Sequence, residues 1–298
     1  MNKLFQPFFA FLLVLITVFS CSEDTLNSVE PPRDYAEQYD VDNDSLIHYL
    51  KTHYYNHQDF QSASADEFVD FVIDTIPEGN TSLISLFDQV STETITIINS
   101  DDEAIEHNYY YIIAREGEGE SPSVADSVYI TYRGNLLSGD VFDQRTTPLW
   151  LDSSSNVRGF SDFSSKLKRG TYTDNTDGTI DFLNFGAGMV FMPSALGYYS
   201  QSSNAVPSYS PLVFAVNLFT YKQTDHDNDG VPSSEEDLNA DRYLFNDDTD
   251  SDSIPNYMDS DDDGDGTLTK DELDRDENGV YDDTDEDGTP DYLDSNYS

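Results

Sequence analysis

The apolar positions fall into three regimes along the chain. Phe8 to Phe19 is an almost unbroken apolar block, and residues 22–44 then turn polar, with Pro31-Pro32 and scattered acids. That stretch reads as a tether. From Ser45 the pattern becomes periodic: Leu46, Ile47, Leu50 and Tyr54 sit at helical spacing, with Asp44 or Ser45 as the N-cap. Asp66 to Ile76 fits a short helix or a strand equally, whereas Thr94 to Ile98 begins to alternate as a strand does. Residues 45–104 are thus expected to form a small accessory segment. From about 105 to 222 the chain is strand-rich. Tyr109 to Ile113, Val128 to Tyr132 and Leu212 to Leu218 are apolar, β-branched and aromatic runs bounded by Gly, Pro and Ser. One helix is expected there, Gly159 to Lys168, presenting Phe160, Phe163 and Leu167 on one face and stopped by Gly170. Antiparallel strands wrapped on one short helix make an α+β plan.

Charge changes the picture for the last quarter. The chain carries a formal −45, of which residues 225–298 hold 28 acids against three bases. Such a field repels nucleic acid and anionic membrane surfaces, so neither is expected as a partner. It also opposes a compact state unless cations neutralise it. The acids are patterned. Asp225, Asp227 and Asp229 precede Gly230, with Glu236 at the twelfth place; Asp261, Asp263 and Asp265 precede Gly266, with Glu272 at the twelfth. Asp274, Asp276 and Asn278 lead to Gly279 and Asp285, and Asp283, Asp285 and Asp287 lead to Gly288 and Asp294. Asp248, Asp250 and Asp252 end at Asp259 with Ser253 in the glycine place. Oxygens at places one, three and five, a sharp turn at six and an acid at twelve are what calcium needs to gather six to eight hard ligands. The last two loops overlap, and Pro232, Pro255 and Pro290 stand where exiting helices would begin. Independent helix–loop–helix units would show neither feature. The segment resembles thrombospondin type 3 repeats, an extended string built on structural calcium, and is expected to serve as a rigid spacer. That likeness implies an extended, disordered chain once the metal is removed. A solvated acidic tail without specific sites is the alternative.

The N-terminal block reads as a secretion signal over residues 1–20: Lys3 supplies the positive start, and the block is shorter than the roughly 20 residues of a membrane-spanning helix. Val18-Phe19-Ser20-Cys21 resembles the lipobox of bacterial lipoproteins, in which the cysteine is lipidated. Cys21 is the only cysteine, so it can form no disulfide within the chain, and lipidation gives it a role. The other reading is an ordinary signal with a free thiol. Ser22-Glu23-Asp24 is similar to the acidic tail of surface-exported lipoproteins of the Bacteroidetes. An envelope location follows: an outer-membrane lipoprotein, periplasmic or surface-exposed, touching the membrane through the lipid on Cys21.

Between the anchor and the repeats lies a second resemblance. Val128 through Asp143, containing Tyr132, Gly134-Asn135-Leu136, the Gly139 turn and Phe142-Asp143, resembles the strand–turn–strand opening of FKBP-type peptidyl-prolyl cis–trans isomerases. Val157-Arg158-Gly159-Phe160 is similar to that family's entry into its single helix; Pro193 to Tyr198, Val206-Pro207 and Pro211 to Val216 are similar to its flap and closing strand. The resemblance covers about a third of the chain, in order, and implies an isomerase domain over residues 105–222. Its proline site would be lined by Tyr132, Phe142, Asp143, Val157, Phe160, Tyr198, Val206 and Phe214, and its partners would be proline-containing polypeptides.

Such a site needs no cofactor for catalysis. Twisting an X–Pro amide out of plane costs about 18–20 kcal/mol. The twisted amide has lost resonance and charge separation, so an aromatic cage favours it over the planar one. The Tyr198 hydroxyl and a backbone N–H near Val157 would hold a flanking carbonyl, and Asp143 would orient the pocket or meet the twisted carbonyl carbon. Phe160 stands where the family usually has Trp, which implies altered rate or affinity, and the added stretch Thr173 to Met189 is expected to reshape access. The likeness extends to the isomerase-like lipoproteins linked with gliding motility in flavobacteria. The competing reading is a non-catalytic prolyl-peptide-binding or adhesive surface lipoprotein. His48, His53 and His57 make no metal motif, and residues 45–104 offer dimerisation as one role.

Overall fold

The strand-like runs form the middle of a six-stranded antiparallel sheet in a computed structural model, which describes residues 31–64, 67–203, 205–274 and 279–297. The chain divides at Pro32, and every element below belongs to the unit starting at Arg33. That unit opens with α1 (Tyr35–Thr52), β1 (His53–Tyr55), α2 (His57–Ser62) and β2 (Ile73–Thr75). The sheet strands follow: β3 (Ser91–Ile98), β4 (Ala104–Arg115), β5 (Ser127–Leu136) and β6 (Val141–Asp152). After α3 (Arg158–Ser164) come the small hairpin β7 (Thr171–Asp174) and β8 (Ile180–Leu183), then β9 (Gly186–Met192) and β10 (Leu212–Lys222). The sheet order is β3-β4-β9-β10-β5-β6.

Both faces of this sheet are covered, which is why its central strands read as continuous apolar runs and not as clean alternation. On one face Tyr109, Val190, Met192, Phe214, Val216, Val128 and Ile130 pack on Phe160, Phe163 and Leu167. On the other, Tyr110, Ile112, Met189, Phe191 and Val213 pack on Leu46, Tyr49 and Leu50 of α1 and on Tyr55, Phe60 and Phe71. Neighbouring residues of one strand therefore serve different cores, as a period of two requires. The anticipated single-helix plan holds for the first face, and the N-terminal segment supplies a second helical layer on the other.

Several boundaries differ from the sequence reading. Helix α1 begins at Tyr35, well inside the stretch read as a tether, and Asp34 caps it by accepting from the N–H groups of Ala36 and Glu37. Its first half docks through polar groups, which hydrophobic periodicity cannot register. Ser194 N–H donates to Asp42 at 2.7 Å, Asn108 N–H to the Tyr39 hydroxyl at 3.1 Å, and Tyr110 donates to Asn43 at 2.7 Å. Strand β3 comes from the accessory segment yet forms a sheet edge, paired with β4 along its whole length. Ile73–Thr75 is a three-residue strand, while Asp66 lies outside the described residues. The stretch Thr173 to Met189 gives the β7–β8 hairpin and most of β9. Phe182 of the hairpin rests 5.7 Å from the Tyr129 ring and 5.4 Å from Phe219, and no hairpin residue lines the cavities described below.

Among the described residues, 225–297 contain no strand and no α-helix, only turns and three-residue 3-10 segments, three of which follow Pro255, Leu268 and Pro290. The beginning of this segment lies against the domain instead of standing off as a spacer. Leu244 and Tyr257 pack on Ala125, and Ser127 N–H donates to Thr224 Oγ1 at 3.0 Å.

Candidate functional site

The β5–β6 hairpin, the start of α3, the loop after β9 and strand β10 bring five aromatic rings together. Phe214 is the hub: its ring centroid lies 5.1 Å from Phe160, 5.4 Å from Phe142 and 6.4 Å from Tyr132. Tyr132 is also 5.9 Å from Phe160, and Phe142 is 6.4 Å from Tyr198. Most of these pairs meet edge to face, the arrangement that ring quadrupoles prefer. The hairpin register explains part of the convergence, because Gly134 pairs with Asp143 on one side and Phe214 on the other. A Cβ on Gly134 would fall 2.6 Å from the Phe142 ring and 2.9 Å from Phe214. Only glycine lets both rings close over this point.

Phe160 is 3% exposed and lies deep in the ring cluster; Tyr198 is 40% exposed at its edge. Val157 is the N-cap residue of α3 and packs on the same core, and Val206 is buried beside it. A cavity of about 410 Å³ opens between Phe142, Asp143, Tyr198, Gln201, Ser203 and Val206. Of the eight residues picked from the sequence, Phe142, Asp143, Tyr198 and Val206 line this cavity, while Tyr132, Val157, Phe160 and Phe214 lie behind it in the packed core or the ring cluster. Asp143 is tied down: the Tyr132 hydroxyl donates to its Oδ2 at 2.6 Å, and Arg145 Nη1 lies 3.5 Å from its Oδ1. Burial, then the Asp143 bond and charge, push the Tyr132 hydroxyl up to about 12, so it stays a donor at neutral pH. Burial and the Asp143 charge raise Tyr198 as well.

With that arrangement in view, the relatives are informative. The chain is 26% identical over 117 residues to the peptidyl-prolyl cis-trans isomerase Mip of Coxiella burnetii, covering 38% of this chain and 44% of that protein. It is 27% identical over 115 residues to FkpA of Escherichia coli K12, covering 38% and 37%. The fold is FKBP-like. The chain spans less than half the length of these curated relatives. A crystal structure of FkpA from Escherichia coli aligns with 63% of this chain at 18% identity and a TM-score of 0.34. A family model described as BamM C-terminal matches residues 226–281.

A second cleft of about 360 Å³ adjoins the FKBP-like cup and shares Tyr198 and Gln201 with it; its far wall is Arg242, Tyr243, Leu244 and Phe245 of the acidic segment. Arg242 anchors that wall. It donates to Glu93 Oε1 at 2.6 Å and lies 3.0 Å from Asp162 Oδ1, while Lys166 pairs with Glu93 and the Tyr109 hydroxyl bonds Asp162. Burial works to raise Glu93, but its bonds to Lys166 and Arg242 and their charges together hold it below the usual carboxylate range. Arg158 stacks on the Tyr243 ring at 4.5 Å.

The acidic segment repeats in structure as well as in sequence. Backbone φ is positive at the fourth and sixth places of successive loops: Asn228 and Gly230, Ser251 and Ser253, Gly264 and Gly266, Glu286 and Gly288. A buried polar side chain at the ninth place closes each of these loops. Ser233, Asn256, Thr269 and Asp291 donate their N–H to the carbonyl just before the loop (2.7–3.0 Å). The same side chains accept the N–H of the second place, from His226, Thr249, Asp262 and Thr284 respectively.

Carboxylate oxygens converge to within 4.8 Å in the trios Asp225, Asp227 and Asp229; Asp248, Asp250 and Asp252; Asp261, Asp263 and Asp265; and Asp283, Asp285 and Asp287. Glu236 gathers with Asp229 and Asp262, while Asp259, Glu272, Asp274 and Asp294 stand outside these groups. Asp276, Asn278 and the lipidation residue Cys21 lie outside the described residues. One loop escaped the sequence reading. Asp237, Asn239 and Asp241 follow the same spacing, Asp241 N–H donates to Asp237 and Asn239, and Ala240 and Arg242 have φ of 56° and 63°. Arg242 occupies its glycine place and Phe245 its ninth place, so this loop breaks the rule at both points. The Asp-x-Asn-x-Asp spacing was the signal available for it.

Proposed function

We propose that the FKBP-like domain is a peptidyl-prolyl cis–trans isomerase of the cell envelope, anchored by lipid on Cys21, with an acidic segment that binds structural calcium. The observation that carries the catalytic reading is the clustering of Tyr132, Phe142, Phe160, Tyr198 and Phe214, with Phe142 and Tyr198 opening onto a cavity. The similarity to Mip and FkpA supports it.

A prolyl ring seated on Phe160 leaves its preceding carbonyl among ring edges, where a polar planar amide is poorly solvated. The twisted amide loses less there, so the cavity lowers the barrier by differential binding. Each tenfold gain in rate asks for about 1.4 kcal/mol of such preference. Tyr198 at the rim donates to a carbonyl flanking the proline, and Asp143, fixed by Tyr132, orients the hairpin side of the cup. For the calcium reading, the support is the four trios of carboxylates at one, three and five, in loops already turned by backbone bonds.

The test is isomerisation of Ala-Pro peptides by the full chain, with Phe160→Ala and Asp143→Ala as variants. Acceleration that both variants reduce is the expected result. No acceleration, with retained peptide binding, would favour the non-catalytic binding module. Rates untouched by both substitutions would place the site elsewhere.

A further inference from the structure

The third acidic loop meets the first at Asp229 and Glu236, the first loop's fifth and twelfth places, through a residue, Asp262, that its own spacing does not explain. Asp229, Glu236 and Asp262 are 2%, 1% and 1% exposed, and their carboxylate oxygens lie within 4.8 Å of one another. Neither oxygen of Glu236 nor of Asp262 meets a hydrogen-bond donor, and Oδ2 of Asp229 meets none either. Among the described residues no lysine, arginine or histidine pairs with any of the three. Buried carboxylates without donors or counter-charge are strongly disfavoured, and a cation among them removes the penalty.

Asp262 is the telling residue. It occupies the second place of its loop, which the calcium spacing does not use for a ligand. Its backbone is pinned by donating to Thr269 Oγ1 at 3.1 Å, yet its side chain faces Glu236 and Asp229 of a different loop. We propose that Asp229, Glu236 and Asp262 jointly hold a calcium ion that cross-links the first acidic loop to the third, a proposal that rests on the reading of this segment as calcium-binding. An all-carboxylate donor set without His or Cys suits a hard cation. Asp229 also belongs to the trio with Asp225 and Asp227, so its carboxylate bridges two ion positions. The chain closed by this cross-link, from Asp229 to Asp262, includes Arg242, so the ion also fixes the loop that docks on Glu93 and Asp162.

The experiment is a calcium titration by calorimetry on the chelator-stripped full chain, alongside Asp262→Asn and, as a control, Asp285→Asn. Asp262→Asn is expected to bind one ion fewer, or to bind one ion at least tenfold more weakly. At pH 9 its unfolding temperature should fall below that of the unsubstituted chain in excess calcium and rise above it in chelator, because one uncompensated buried charge is gone. Asp285→Asn, at an exposed trio, should show no such rise in chelator. Asp262→Asn binding calcium with unchanged number and affinity, and without this reversal, would overturn the cross-link and leave the other loops standing. An unsubstituted chain that takes up no calcium would overturn both. Terbium-soaked crystals give a check that needs no variant: an anomalous peak between Glu236 and Asp262 is expected, and its absence beside peaks in other loops refutes the site.

Discussion

Arg242 is the clasp between the acidic segment and the FKBP-like domain, and two substitutions separate what it gains from what it costs. Its guanidinium reaches Glu93 at 2.6 Å and Asp162 at 3.0 Å, and the Asp162 side chain is 3% exposed. Removing one partner of a fully buried pair costs about 3–5 kcal/mol. Here the Arg242 side chain is 38% exposed, Lys166 stays 3.8 Å from Asp162, and the Tyr109 hydroxyl still bonds it. Those remaining partners bring the loss down to about 2 kcal/mol. Against this, Arg242 sits at φ 63°. That conformation costs a non-glycine residue about 1 kcal/mol. Arg242→Ala loses the ion pairs and keeps the strain; Arg242→Gly loses both. The expected destabilisations are therefore about 2 and about 1 kcal/mol. In a chain this size they lower the unfolding temperature by about 4–8 °C and 2–4 °C. Circular dichroism melts in excess calcium measure both. Combining Arg242→Ala with Glu93→Gln should cost less than the sum of the two, by about 1 kcal/mol. A glycine variant less stable than the alanine variant, or an alanine variant that melts with the unsubstituted chain, would refute this account.

Other outcomes follow from the same geometry. Gly134→Ala should splay Phe142 and Phe214 apart and abolish measurable Ala-Pro isomerisation, because its Cβ lands 2.6 Å from one ring. Phe160→Ala should lower kcat/KM at least tenfold, about 1.4 kcal/mol, and cost stability of about 3 kcal/mol as a buried ring is deleted; melts and isomerisation rates report the two separately. The destabilising effect of chelator should grow with pH. Burial and then neighbouring carboxylates push Asp227 up to about 7, Asp262 up to about 8 and Glu236 up to about 9. Raised values mean that the metal-free segment is relieved while these groups are protonated and loses that relief as pH rises through about 7 to 9. Melts with and without chelator at pH 6 and pH 9 test this, and equal differences at both would count against it.

The cup was legible because its residues sit in short runs with distinctive neighbours, such as Phe142-Asp143 after the Gly139 turn and Gly159-Phe160 at the helix entry. The second helical layer was not. The leading half of α1 docks through Tyr39, Asp42 and Asn43, polar side chains that carry no periodic signal. The evenly apolar character of β4, β9 and β10 was the available hint that a second face needed cover. In the acidic segment the spacing of acids exposed the loops, but not which loops touch. Asp262 looked like filler between two template positions, and Arg242 at a glycine place hid the loop from Asp237 to Asp248. Places where a local rule is broken turned out to be where that segment meets something else.

The ninth-place side chains have a mechanical consequence. Each of these turns is shut by its own Ser, Asn, Thr or Asp through ordinary hydrogen bonds, so cations do not have to fold it. On the calcium reading proposed above, the ions' work is confined to setting the spacing between one turn and the next. On that reading, a segment stripped of ions would be a slack bracelet of intact beads and not the wholly disordered chain that the repeat likeness implies. It would tighten again quickly because little ordering entropy remains to be overcome.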